Sequence, residues 1–128
     1  MSDCGVCLGG YDVDGNCDFY EARTPIARKE HQCEDCSRMI QRGEKYHRVS
    51  GKFDGDFFDT ITCAICQEIR DAFTCDERDT AGPPPGELWA DMVDVFPYLT
   101  TTCFDKLQTP QAKAFLRERW MAWKGLAA

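Results

Sequence analysis

The chain has 128 residues, enough for one ordinary domain or two very small ones, and 43% of them are hydrophobic, which allows a real core. A net charge of -7 argues against generic attraction to nucleic acid or to an anionic membrane, and no apolar run of about 18 residues is present to span a bilayer. Nine cysteines are the feature that needs explaining: an odd number suits a disulfide framework poorly. Met1-Ser2-Asp3-Cys4-Gly5 has neither the basic nor the apolar part of an export signal, so a reducing cytoplasm is expected, where closely spaced cysteines are metal ligands more often than disulfides.

Residues 1–27 form the first unit. The stretch 1–22 has five acids and no Lys or Arg, is rich in glycine, and lacks helical periodicity, so it reads as loop with short strands. It carries Cys4-Gly5-Val6-Cys7 and then Cys17, three thiols that point to a metal site of their own. Asp12-Val13-Asp14-Gly15 looks superficially like a calcium loop, but the glycine and the terminal glutamate are not at the positions an EF-hand requires.

Residues 28–75 hold the strongest motif. Cys33-Glu34-Asp35-Cys36 and Cys63-Ala64-Ile65-Cys66 are two Cys-x-x-Cys pairs with 26 residues between them. Two intervening residues let the chain turn tightly around an ion, so each pair offers two thiolates, and four complete a closed tetrahedral structural zinc site. Zinc is preferred to iron because nothing else in the chain suggests electron transfer. Between the pairs, Gly43 marks a turn, Glu44 to Phe53 reads as a strand, Asp54-Gly55 signals a two-residue hairpin, and Phe57 to Thr62 is the return strand. Cys63 to Thr74 has Ile65, Ile69, Ala72 and Phe73 on one helical face.

This order of knuckle, β-hairpin and helix resembles the treble-clef zinc finger over about residues 31–75. The resemblance implies Cys33 and Cys36 on the knuckle and Cys63 and Cys66 at the helix start. The wording around the cysteines is also similar to the zinc finger of the DksA/TraR regulators, which bind RNA polymerase, although the loop here is longer and no acidic coiled-coil hairpin precedes it. As a whole the chain resembles small zinc-binding proteins encoded by phages and proteobacteria, which would make it a viral protein in the host cytoplasm and its partner a host or phage complex.

Residues 76–86 read as a linker because Pro83-Pro84-Pro85 cannot continue a helix. Residues 87–128 read as a helical region packing on the finger. Leu88, Trp89, Met92, Val93 and Phe96 follow helical spacing up to Pro97, and Thr109-Pro110 caps a second helix over Gln111 to Lys124 that stops at Gly125. Its apolar face is Ala112, Phe115, Leu116, Trp120 and Trp123, with Met121 opposite and free to make a contact.

The fold expected is therefore α+β: a small zinc-stabilised knuckle, hairpin and helix with C-terminal α-helices. A second zinc ion is expected on Cys4, Cys7, Cys17 and a fourth thiolate. Cys75 and Cys103 compete for that position, and Cys103 is preferred because it sits in the Thr100-Thr101-Thr102 turn, where loop ligands are common. His31 and His47 read as ordinary residues, His31 serving as a ligand only if the register differs.

No catalytic function is expected. An all-cysteine zinc site is closed, whereas catalytic zinc keeps an open position. The deaminase His-x-Glu, the Gly-x-Ser-x-Gly elbow and phosphate-binding loops are all missing from the sequence. The expected role is a protein–protein interaction module with no small-molecule substrate and no membrane. The alternative is nucleic-acid binding: residues 23–52 carry eight bases against four acids, and Arg38, Arg42, Lys45, Arg48 and Lys52 surround the zinc motif.

Overall fold

The computed structural model describes residues 4–8, 11–12, 17–53, 55–74, 80–81 and 86–125, with only the backbone at 11–12, 17–20, 53 and 80–81. It is a mixed α+β fold. In chain order the strands are β1 (Tyr11–Asp12), β2 (Cys17–Arg23), β3 (His31–Gln32), β4 (Met39–Ile40), β5 (Tyr46–Phe53), β6 (Asp56–Cys63) and β7 (Thr80–Ala81). The helices are α1 (Ala64–Phe73), α2 (Leu88–Val95) and α3 (Pro110–Lys124), with 3-10 turns at Phe96–Tyr98 and Thr101–Lys106.

The largest sheet is antiparallel in the order β2-β5-β6. Its hairpin follows the Asp-Gly signal: Phe53 pairs with Asp56, and Gly55 takes a φ of 85°, which only glycine adopts without strain. The register then runs to Tyr46 opposite Cys63, so the end of β6 delivers Cys63 directly to the start of α1. The short β3–β4 pair closes the knuckle, with His31 opposite Ile40 and Gln32 opposite Met39.

Two pairings go beyond the sequence reading. β2 is a seven-residue strand on the edge of β5, and β1 pairs with β7, a strand within the stretch read as linker.

The C-terminal helices obey their punctuation. Thr109 Oγ1 accepts from the Ala112 N–H at 3.2 Å and Pro110 opens α3. Gly125 ends it with a left-handed φ of 78°. Leu88, Trp89, Met92, Phe96, Phe104, Leu107, Leu116 and Trp120 are buried in one cluster with Ile40, Ile69, Phe73 and the cysteines Cys33, Cys63 and Cys66. Trp123 departs from expectation: it is 43% exposed. It lies on the core side of α3 by angle, but at the last turn, where the Phe96 ring meets it at 5.5 Å, it is no longer covered. Met121, expected to be free, is half-buried.

Candidate metal centre

Three local structures bring four thiols together. The turn between β3 and β4 carries Cys33 and Cys36; it is held by Ser37 N–H to Cys33 O at 2.9 Å and Cys33 N–H to Arg38 O at 2.9 Å. Cys63 is the N-cap of α1, its sulfur accepting from the Cys66 N–H at 3.4 Å, and Cys66 follows in the first turn. The four Sγ atoms lie within 4.8 Å of one another, and Cys36 and Cys63 are 3.8 Å apart. A tetrahedral ion with bonds of about 2.3 Å to sulfur spaces its ligands by roughly 3.8 Å, so the donor set and its spacing fit a tetrathiolate metal ion.

Backbone and indole donors aim at two of the sulfurs. Cys33 Sγ accepts from the backbone N–H of Asp35 at 3.4 Å and of Cys63 at 3.2 Å, and Cys66 Sγ accepts from the indole N–H of Trp89 at 3.4 Å. The N-terminus of α1 adds its positive end to Cys63 and Cys66. Hydrogen bonds from Cys36, Cys63 and Cys66 hold the Cys33 thiol well below its ordinary range, whereas Cys36 and Cys66 are pushed up, first by Cys33. Cys63 is raised by Cys33 but pulled down by Cys36 and Cys66, and it settles at about 7. Four crowded sulfurs therefore cannot all be anionic on their own, and a divalent cation removes that conflict. Cys33, Cys63 and Cys66 are at most 1% exposed and Cys36 is half-buried, so the site lies in the core on three sides and reaches the surface only at Cys36.

A polar frame tied to this centre was not read from the sequence. Asp35, inside the first pair, has a fully buried carboxylate. Its Oδ2 accepts from Arg70 Nη2 of α1 at 2.8 Å, and its Oδ1 accepts from the N–H of Gly86 at 2.7 Å and of Leu88 at 3.3 Å. One carboxylate thus joins the knuckle, the helix after the second pair and the start of α2. The available signal was Arg70, one of only two bases among the eleven acids of residues 53–95. Glu34 makes a second link: its N–H donates to Ile61 O at 2.9 Å, and its Oε2 accepts from the Ile61 N–H at 2.7 Å.

Glu68 of α1 anchors α3. It accepts from the N–H of Gln108 at 2.6 Å and of Thr109 at 3.0 Å, and from Thr109 Oγ1 at 2.7 Å. Burial alone would raise its carboxyl, but these three donors outweigh burial and hold it below the usual range. The Arg119 guanidinium lies 4.4 Å from the Trp89 ring centre and 4.9 Å from that of Phe115, and the two rings meet near perpendicular at 5.6 Å.

The second ion expected on Cys4, Cys7, Cys17 and Cys103 is not shown. The structure does bring Cys4 and Cys103 together across 99 residues, with Cα atoms 4.9 Å apart, but joins them as a disulfide. A bonded sulfur pair is not a pair of thiolate ligands. The Cys17 side chain and Cys75 lie outside the described residues. Neither histidine joins the cluster: His31 lies against the Tyr46 ring at 4.9 Å, and His47 is half-buried in β5, where burial lowers its pKa.

The basic segment is largely committed to other contacts. Arg38 pairs with Glu44 at 2.9 Å and Arg48 holds Asp59 at 2.9 Å through Nε, while Lys52 lies over the Phe57 ring at 5.2 Å. Arg42 and Lys45 are exposed, as are Arg28 and Lys29. These four lie on two stretches joined by the Ile26–Lys45 bridge and by Gly43 N–H to Ala27 O at 2.9 Å. No helix among the described residues is long and apolar enough to cross a membrane. No protein-family model, no curated protein and no solved structure matches this chain.

Proposed function

We propose that this protein is a non-catalytic binding module built on one structural zinc ion held by Cys33, Cys36, Cys63 and Cys66 in a treble-clef arrangement. The observation that carries the reading is the closed, all-sulfur cluster: each coordination position belongs to a thiolate and none is left for a substrate or water. The ion then serves to fix the knuckle, the β5–β6 hairpin and α1 relative to one another. Another protein is the favoured partner. Tyr98 and Trp123 present ring surface on the C-terminal region, and aromatic side chains are over-represented in protein interfaces.

Metal analysis of the purified chain tests the first part, with one ion or more per chain expected and near zero overturning it. The second part is tested by capturing a defined partner whose binding is lost on chelation and on Tyr98→Asp or Trp123→Asp.

A nucleic-acid reading has one observation in its favour, the exposed group of Arg28, Lys29, Arg42 and Lys45 in an otherwise acidic chain. Retention on DNA or RNA above about 100 mM salt, lost on charge reversal of Arg42 and Lys45, would replace the protein reading with this one.

A further inference from the structure

Residues 25–27 and 43–46 run antiparallel as a short ribbon. The Tyr46 N–H donates to Pro25 O at 3.1 Å, the Ala27 N–H to Glu44 O at 2.8 Å and the Gly43 N–H to Ala27 O at 2.9 Å, with Ile26 opposite Lys45. Side chains alternate between the two faces of such a ribbon. Ala27 and Tyr46 are 3% and 4% exposed and face the core, so Ile26, 60% exposed, and Lys45 share the outer face. Arg42 stands exposed on the turn that enters the ribbon, and Arg28 and Lys29 on the bend that leaves it. The turn keeps its cations without an internal partner. Gln41 O accepts from the Glu44 N–H at 3.0 Å, and Gly43 takes a φ of 94° between them. The Glu44 carboxylate is already occupied: Oε1 accepts from the Gln41 N–H at 2.7 Å and Oε2 from Arg38 Nη2 at 2.9 Å. Among the described residues, Arg28, Lys29, Arg42 and Lys45 form no ion pair. Glu30, beside Lys29, is the other acid of these stretches. A chain of net charge -7 thus presents one surface of the opposite sign with an aliphatic side chain in it.

We propose that this ribbon docks an acidic, aliphatic segment of a partner protein, with carboxylates on Arg28, Lys29, Arg42 and Lys45 and an apolar side chain on Ile26. This rests on the reading of the chain as a protein-binding module and adds a surface separate from Tyr98 and Trp123.

A peptide suits the ribbon better than a nucleic acid does. Its exposed apolar group is aliphatic, whereas single strands are held by stacking on exposed rings. The ring of the ribbon, Tyr46, is buried and lies against His31 at 4.9 Å, out of reach of a base. Phe57 is an exposed ring, but it pairs with Lys52 at the other end of the β5–β6 hairpin. A long polyphosphate would also run beyond the ribbon into the field of an acidic chain, while a short segment is attracted within a Debye length of about 8 Å. The surface depends on the metal centre as well. β4 closes the knuckle and leads into the Gln41–Glu44 turn, and Arg38, which holds Glu44, accepts the Cys33 N–H through its carbonyl at 2.9 Å. Loss of the ion should therefore disperse the four cations.

The test titrates the full zinc-loaded chain into a short labelled peptide that alternates glutamate and leucine, read by fluorescence anisotropy. A copy with glutamine in place of glutamate is the control. The glutamate peptide should bind at least about tenfold more tightly than the control, and the double variant Arg42→Glu, Lys45→Glu should lose at least about tenfold. Ile26→Ser should lose roughly fivefold to tenfold. Chelation should abolish binding, and Tyr98→Asp should leave it unchanged. Equal affinity for the two peptides, or no binding at about 1 mM peptide, overturns the proposal. Zinc analysis of the same sample separates the two readings: a zinc-loaded chain that ignores the peptide overturns this inference alone, and a chain without zinc overturns the Cys33–Cys66 reading. An oligonucleotide that displaces the peptide at lower concentration assigns the surface to nucleic acid instead. Self-association of the chain that is reversed by Arg42→Glu, Lys45→Glu assigns it to a second copy, and either result overturns the acidic-peptide reading.

Discussion

Residues 31–73 and residues 86–125 are stabilised in different ways. In the first, a few buried apolar side chains, Ile40, Tyr46, Ile69 and Phe73, share one cluster with three buried cysteines. From the second, Leu88, Met92, Phe96, Phe104, Leu107, Leu116 and Trp120 extend that same cluster by ordinary apolar burial, which needs no ion to justify it. The first region is specified by chemistry at four points and the second by area. They meet through α1 packing on α3, but also through three polar contacts: Asp35 to Arg70 and the start of α2, Glu68 to the start of α3, and Trp89 to Cys66. The contrast implies that loss of metal should dismantle the first region, and that loss of a polar contact should loosen the second from it.

The largest effect is expected from Cys63→Ser. Structural zinc sites supply apparent binding energies of about 10–16 kcal/mol, far more than the net stability of a domain this size. The variant should lose its ion, and hydrogen exchange should become fast throughout 31–73. If α1 exchanges as slowly as in the wild type, the first region does not depend on metal and the contrast fails.

Asp35→Ala comes next. It takes the carboxylate from buried Arg70, which keeps its bond to Gln67 at 3.1 Å, and strips an acceptor from two N–H groups, at a cost of about 3–5 kcal/mol in urea unfolding. The double variant Asp35→Ala, Arg70→Met should recover much of that loss. If each single variant costs under about 1 kcal/mol, Asp35 is not the joint between the regions.

Glu68→Gln should cost about 1–2 kcal/mol near neutral pH, since it weakens three hydrogen bonds to a charged acceptor. The pH dependence has a definite sign. Because the folded carboxyl titrates below its ordinary value, its contribution is present above the unfolded pKa near 4.5 and fades as pH falls through the folded pKa. The difference in stability between wild type and variant should therefore shrink in acid below about pH 4.5. A difference that is constant from pH 7 to pH 3 contradicts this.

Trp89→Phe keeps a ring against Arg119 and Phe115 but removes the N–H donor to Cys66. A partner of a metal ligand is commonly worth about tenfold in affinity, so zinc should bind about ten times more weakly in competition with a chelator, while urea stability of the zinc-saturated protein falls by about 1 kcal/mol. Unchanged zinc affinity would mean that α2 only packs on the cluster and does not tune it.

The same contrast explains what the sequence disclosed. Each pair of cluster cysteines belongs to one local turn, so spacing was enough to find Cys33, Cys36, Cys63 and Cys66. Asp54-Gly55 and Thr109-Pro110 are likewise local signals, and the hairpin and α3 follow them. What was hidden is what the fold brings from far away. β2 lies on β5 only because the hairpin offers an edge, and β1 finds β7 across about 70 residues. Nothing local to Asp35 points to Arg70, which arrives from 35 positions on. Arg38 and Arg48 read as a basic patch until Glu44 and Asp59 are seen beside them. Cys103 was favoured over Cys75 as a companion of Cys4 on loop context alone, which indicated the meeting but not the bond that joins them.

The smallest prediction concerns Ser37, which closes the knuckle with a φ of 67°, the only positive value at a non-glycine position among the described residues. Glycine adopts this conformation without the clash between Cβ and the backbone, at the expense of a more flexible unfolded chain. The serine N–H, which donates to Cys33 O, is kept by glycine. The relief of left-handed strain is about 1–2 kcal/mol and the entropic penalty about 0.5–1 kcal/mol, so Ser37→Gly should gain about 1 kcal/mol or less. That gain belongs to the metal-dependent region, so it should raise zinc affinity in the chelator competition by up to about fivefold and leave the exchange rates of α3 unaltered. A Ser37→Gly protein that binds zinc less tightly would show that the left-handed turn is not where the knuckle stores its strain.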